Sequence, residues 1–310
     1  MSVVTVGETM AALAPDHVGP LRYTRTMGLS VAGSESTVAI GVRRLGHPAA
    51  WIGRIGDDEL GALVEMRLRG EGIEVYARRD PDAPTGLMLK ERRAAGVRRV
   101  HYYRRDSAGS RLSAADLPDG VVESAEVLHV SGITFALGDS AAETARVAIA
   151  RARDSGVTVS LDLNHRRGLW TDADAVAALD PLLSEVDVLF ASADEARLFA
   201  SGTAADLATA LRSKGPGTVV VTLGAEGAVS ASAEGALRVP AVPVTEIDPV
   251  GAGDSFAAGY LSGLLRGDPE DARLRRATAV AAIAVSTHGD WEGLPTAAEL
   301  DTVDGRDITR

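Results

Sequence analysis

The chain has 310 residues, 45% hydrophobic and 24% charged, with 33 Gly and 13 Pro, a balance that excludes a disordered or fibrous protein and provides for a sizeable core. Its 32 Lys and Arg against 43 Asp and Glu leave a formal net charge of −11, a field that repels polyanions and argues against a nucleic-acid partner. The absence of Cys removes disulfides, thiolate metal sites and Cys nucleophiles together and agrees with a reducing cytosol.

The first residues, Met1-Ser2-Val3-Val4-Thr5-Val6-Gly7-Glu8, carry no basic stretch ahead of an apolar one, so no secretory leader is expected there. The longest apolar stretch, around Ala277 to Ser286, falls short of the roughly 20 residues that cross a bilayer. A cytoplasmic location without a membrane partner is expected.

Short β-branched runs alternate with longer Ala-rich amphipathic segments: 3–6 then 37–45, 50–55 then 59–69, 127–130 then 141–154, and 157–161 then 173–183. That alternation predicts βαβ units and a doubly wound, mostly parallel sheet covered on both faces, an α/β fold. It continues with a strand over 186–190, helices over 194–200 and 204–214, and a strand over 218–221. Two stretches break the rhythm with strand-like patches at 87–89 and 97–103. Antiparallel ribbons forming a small β-sheet lid are expected from segments about 10–31 and 85–105. Beyond Val221 the glycines at 224, 227 and 235 punctuate hairpins, and two helices over 252–265 and 269–286 close the fold. With no repeat or low-complexity linker, a single α/β domain over 1–310 is expected.

The segment richest in chemistry is Asp248-Pro249-Val250-Gly251-Ala252-Gly253-Asp254-Ser255-Phe256. Gly251, Ala252 and Gly253 stand where a loop enters a helix, so backbone N–H groups can approach an anion and the helix dipole favours its charge. Asp254 in the same turn would repel a phosphate unless it has chemistry to do. Phosphoryl transfer supplies that chemistry, because a carboxylate must accept the proton of the attacking hydroxyl while backbone donors hold the moving group. Gly56-Asp57-Asp58-Glu59, by contrast, reads as capping at the start of the helix over 59–69. The six His, at 17, 47, 101, 129, 165 and 288, lack metal-ligand spacing and read as structural.

The string led by Asp248 resembles the C-terminal signature of the ribokinase-like (PfkB) carbohydrate kinases. Val-Val-Thr-Val-Gly-Glu at 3–8, Gly-Arg-Ile-Gly-Asp-Asp-Glu-Leu-Gly at 53–61 and Val-Thr-Leu-Gly-Ala-Glu-Gly-Ala at 221–228 resemble that family's other landmarks, over nearly the whole chain. The resemblance implies an α/β/α core with a β lid, ATP as phosphoryl donor, Mg²⁺, a monovalent cation such as K⁺, and a homo-oligomer. Within the family, the segments 102–110, 131–134, 161–166 and 289–293 are similar to 2-keto-3-deoxygluconate kinases, which implies phosphorylation of the terminal 6-hydroxyl of that sugar acid or a close analogue. Arg holds a carboxylate bidentately, and the pairs Arg104/Arg105 and Arg166/Arg167 fall in two of those segments.

By the same resemblance, Gly33, Thr37, Met88, Tyr102, Arg104, Ile133, Arg166 and Asp290 belong to the acceptor pocket. Asp254 is the base, with Gly251, Ala252 and Gly253 as the anion turn. Ser192, Thr222, Gly224, Gly227, Gly251 and Gly253 border the nucleotide, and Glu195 and Asp248 are the metal-linked carboxylates. Three positions depart from the pattern: Thr37 stands where the family has Asn, Met88 where the keto-deoxygluconate branch has Tyr, and Pro249 where the wider family has Thr. A hydroxyl replaces only part of an amide's bonding capacity, and Met88 removes one polar contact. The rival readings are a fructokinase, ribokinase or sugar-phosphate kinase with the same machinery, or a catalytically silent sugar-binding regulatory protein. A neutral sugar has no need of the Arg residues, and a silent protein has no need of the base. A dinucleotide-binding protein is disfavoured, because no GxGxxG follows the first strand.

Overall fold

The computed structural model describes residues 1–94 and 97–305. β1 (Val3–Val6) is buried along its whole length, as a strand covered on both faces must be. β2 (Met10–Pro15) and β3 (Met27–Ala32) come next, then α1 (Ser34–Arg44), β4 (Ala49–Gly56), α2 (Glu59–Gly70), β5 (Glu74–Asp80), β6 (Leu87–Ala94) and β7 (Val97–Tyr103). The second half runs β8 (Val127–Ser131), α3 (Gly132–Ala136), α4 (Asp139–Asp154), β9 (Thr158–Asp162), α5 (Asp172–Leu179), β10 (Val188–Ser192), α6 (Ala193–Ala196), α7 (Ala204–Arg212) and β11 (Thr218–Thr222). β12 (Ala228–Ser232), β13 (Gly235–Val239), α8 (Ala252–Leu265), α9 (Glu270–Val285) and α10 (Ala297–Gly305) complete it.

Nine strands form one sheet in the order β13-β12-β11-β10-β9-β8-β1-β4-β5, parallel except for the terminal β11–β12–β13 meander. Helices α4, α5 and α7 pack on one face over Leu128, Leu161, Leu189 and Val219. Helices α1, α2, α8 and α9 pack on the other over Trp51, Ile55 and Phe190, where the Tyr260 ring meets Phe190 edge-on at 5.3 Å. The doubly wound α/β/α fold expected from the alternation is the fold observed.

The segments that broke the rhythm build a separate four-stranded sheet, β3-β2-β6-β7. Each ribbon is antiparallel, but a parallel β2–β6 pairing with Ala11 opposite Leu87 joins them, so the sheet is mixed rather than wholly antiparallel. Three further differences have local causes. Pro181 has no N–H to continue α5, so the helix expected to 183 tightens into a 3-10 turn at Asp180–Glu185. The helix expected over 194–200 is the four-residue α6. The edge strand β5 was not foreseen, because its alternation of charge and half-burial gives no apolar stripe.

Asp58 caps α2 as expected, accepting from Gly61 N at 2.7 Å, and it also accepts from the backbone and hydroxyl of Thr85 at 2.8 Å. The chain leaves β1 for β4 on one side and returns to β8 on the other. The carboxyl ends of β1, β8, β9 and β10 therefore border the crevice where an open α/β sheet takes its ligand.

His129 sits in the middle of β8, fully buried, with Ser160 Oγ at 2.9 Å from Nδ1. Burial pushes its imidazole down to about 3 from an ordinary 6.5. The unfolded chain therefore takes up a proton below pH 6.5 that the folded chain refuses, and stability is lost as the pH falls. The stability advantage of the wild type over His129→Gln should shrink by about 2 kcal/mol between pH 7 and pH 5 in urea unfolding. A pH-independent difference would show that the buried ring does not resist protonation.

Candidate active site

The turn leading into α8 is shaped by two glycines used differently. Gly251, the N-cap residue, holds φ at +79°, and a Cβ there would lie 2.2 Å from the Asp290 carbonyl oxygen, so no other residue fits without a shift. A Cβ on Gly253 would meet nothing closer than Asp162 Oδ2 at 4.0 Å, so its backbone faces open space. No side chain caps α8; Ala252 N donates to the Pro249 carbonyl at 3.2 Å, and the N–H groups that follow in the first turn of this 14-residue helix are left for a ligand.

Three adjoining cavities meet at this turn. An inner one of about 60 Å³ contains all eight residues expected at the acceptor: Gly33, Thr37, Met88, Tyr102, Arg104, Ile133, Arg166 and Asp290. A middle one of about 450 Å³ shares Tyr102, Arg166, Val250, Gly251 and Asp254 with it and adds Ser192, Glu195 and Thr222. An outer, more apolar one of about 500 Å³ holds Thr222, Gly224 and Gly227 against Val242, Val244, Ala281 and Val285, and shares Ala252, Gly253 and Phe256 with the middle one. Asp254 thus stands at the junction of a small pocket and a long cleft.

Asp254 is buried, and its Oδ1 accepts from Ser34 Oγ at 2.5 Å. Asn164 Nδ2 donates to the same Ser34 oxygen at 2.8 Å and lies 3.5 Å from Asp254 Oδ1. Asn164 adopts φ +39° just past β9, where Asp162 Oδ1 accepts its backbone N–H at 3.1 Å. Burial raises the pKa of Asp254 above the ordinary carboxylate value, with Ser34 and Arg166 opposing the rise. Burial pushes Asp162 up further, helped by the charges of Glu195 and Asp254 and opposed by Arg166. Glu195 accepts from the backbone of His165 and Ser192, each at 2.7 Å, and so closes the short α6 against the end of β9.

The inner pocket is more acidic than the sequence suggested. Glu8, just past β1, accepts from Arg104 Nε at 2.7 Å and from Ser107 Oγ at 2.5 Å. Glu35, in the first turn of α1, accepts from Ser131 at 2.7 Å and Thr134 at 2.8 Å, and burial raises it despite both bonds. Asp290 is pushed up to about 6 by burial, with the Lys90 ammonium bonded to it and opposing.

Two expectations, for Arg104 and Asp248, need correction. Arg104 lines the pocket, but its guanidinium is already paired with Glu8, so Arg166 is left as the cation that faces both cavities. Arg105 is exposed and Arg167 turns outward to Asp172, so one Arg of each pair reaches the pocket. Asp248 lies buried behind the turn with its carboxylate 3.5 Å from Lys90 Nζ and does not line the cavity that contains Glu195. Glu8, Ser34, Glu35, Asp162 and Asn164 belong to the site without having been expected there, although polar residues at or just past the ends of apolar strands were the available signal.

Among the described residues no three His, Asp or Glu side chains converge to hold a metal by themselves. Asp162 and Glu195 are hard oxygen donors beside Asp254 with one facing cation, a set that fits Mg²⁺ entering on phosphate oxygens and keeping much of its water.

The pfkB family carbohydrate kinase model matches residues 1–297. The 2-dehydro-3-deoxygluconokinase of Bacillus subtilis (strain 168) is 36% identical over 309 residues, covering 97% of this chain and 94% of the relative. The 2-dehydro-3-deoxygalactonokinase of Haloferax volcanii is 36% identical over 292 residues, covering 93% and 92%. Among solved structures, a protein from E. coli described as a ribokinase II, in complex with ATP and Mg²⁺, superposes with a TM-score of 0.91 at 25% identity, covering 99% of both chains.

Gly251→Ala should destabilise the protein by about 1–3 kcal/mol, because it forces a side chain into left-handed backbone and against the Asp290 carbonyl. It should also weaken polyphosphate binding in calorimetry. Unchanged melting and unchanged binding would show that the turn does not depend on glycine.

Proposed function

This chain belongs to the pfkB family of carbohydrate kinases, and from that premise we propose that it is an ATP-dependent phosphotransferase acting on the terminal 6-hydroxyl of 2-keto-3-deoxygluconate or a close analogue. The observation that carries the reading is the position of Asp254 between an inner polar pocket and the uncapped end of α8. In this reading the acceptor fills the inner pocket and ATP lies along the two outer cavities, its base against Val242, Val244 and Ala281 and its phosphates at Gly251–Asp254.

Asp254 accepts the proton of the 6-hydroxyl as the oxygen attacks the γ-phosphorus. The bond from that phosphorus to the β–γ bridging oxygen breaks in line, and its electron pair leaves with ADP. The N–H groups at the start of α8 hold the charge that spreads over the transferring oxygens. Mg²⁺ bound with ATP would supply neutralisation of the phosphate charge. Glu195 and Asp162 are the residues that would hold its shell. Arg166 takes the carboxylate of the sugar acid, and Arg104 presents its remaining N–H groups while its charge is shared with Glu8. Thr37 reads a hydroxyl in place of the family's Asn, and Met88 meets the acceptor with apolar surface.

The residues do not fit K⁺ as an additional ion at Asp248, because the Lys90 ammonium is already there. A cytoplasmic enzyme is part of this reading, and no helix among the described residues is long and apolar enough to cross a membrane. So is a homo-oligomer joined through β3 or β7, the two edges of the small sheet.

ADP release should be selective for 2-keto-3-deoxygluconate or its galactonate epimer over gluconate, fructose, ribose and fructose 6-phosphate. Asp254→Asn should lower kcat by about 10²–10⁴ with little change in ATP affinity. Arg166→Ala should raise KM for the keto acid while sparing any neutral sugar, and full retention of keto-acid turnover would reassign the acceptor. Ser34→Ala removes the bond that opposes the upward push of burial on Asp254, so the acidic limb of the kcat profile should move to higher pH. A limb that stays in place would separate Ser34 from the base.

A further inference from the structure

The chain has only two lysines, and one of them, Lys90 on β6, is 7% exposed. Its ammonium is hydrogen bonded to the Asp290 carboxylate and lies 3.5 Å from Asp248 Oδ2, and both acids are as buried as the lysine. These acids bracket the anion turn. Asp248 begins it and accepts from Val250 N at 3.3 Å, while the Asp290 carbonyl packs directly on Gly251. The segment carrying Asp290 is tied to the small sheet a second time, by Trp291 Nε1 donating to the Val31 carbonyl at 2.9 Å. Two carboxylates buried this deeply require a cation between them, and the fold delivers it on a side chain from a different sheet.

We propose that the Lys90 ammonium is the monovalent cation of this site, a positioning group that fixes Asp248 and Asp290 on either side of the Gly251 turn and makes its anion-binding shape independent of K⁺. The inference deepens the kinase reading, on which it rests only for its turnover measurement. An ammonium is close in size to K⁺ and differs in being tethered, so it costs no binding entropy at the turn. It also links the turn to the sheet that walls the acceptor pocket, since Met88 lies two residues before Lys90 on the same strand and enters that pocket.

The test compares KCl, NH₄Cl and choline chloride at matched ionic strength, reading the melting midpoint and ATP binding by calorimetry without acceptor, then turnover. The wild type should show less than about a two-fold difference among the salts in any reading. Lys90→Ala should melt lower, bind ATP about ten-fold more weakly, and recover part of both losses in KCl or NH₄Cl but not in choline chloride. Lys90→Gln, which keeps most of the side-chain volume without the charge, should behave alike and serves if the alanine variant does not fold. Activation of the wild type several-fold by K⁺ over choline, or a folded Lys90 variant that ignores the salt, would overturn the proposal. The melting and ATP-binding arms need no acceptor, so they can fail while the Asp254→Asn result still supports the kinase reading, and the reverse.

Discussion

Asp254 is buried in the first turn of α8, beside backbone N–H groups that no side chain caps, and this places a negative charge where the helix is built to receive someone else's. The helix dipole lowers the cost of that charge, Ser34 supplies a hydrogen bond and Arg166 an opposite charge, yet burial still prevails. The neighbourhood is arranged around this compromise. The glycines of the turn clear space for an anion, the strand ends of the main sheet bring Asp162, Asn164 and Arg166 to one side, and α1 brings Ser34 and Glu35 to the other.

The arrangement is costly to the fold. Asp162, Asp254, Glu35 and Asp290 all have raised proton affinity in the folded chain, so each contributes stability at low pH that is lost as the pH rises through its folded value. Removing these protons therefore costs stability, which the two large cores on either face of the sheet must carry.

Most of the α/β layer was legible because strands buried on both faces must be largely apolar, as Val3, Val4 and Val6 or Val127, Leu128 and Val130 are, and because Ala-rich helices between them keep a clear period. The anion turn was legible because its chemistry is local: Gly251 to Asp254 are consecutive. Contacts made between distant segments were not. Nothing in the local sequence says that Arg104 spends its charge on Glu8, 96 residues away, or that Lys90 reaches across to Asp290. β5 escaped because an edge strand needs no apolar stripe, and the parallel β2–β6 pairing escaped because register between two ribbons is a tertiary choice.

Each of the four strands of the small sheet gives one residue to the inner cavity, Met10, Ala32, Met88 and Tyr102, whereas the outer cavity takes its walls from the main sheet and its helices alone. The inner cavity is therefore built by both sheets together, and any displacement of the small sheet would reshape it through four strands at once while leaving the walls of the outer cavity in place.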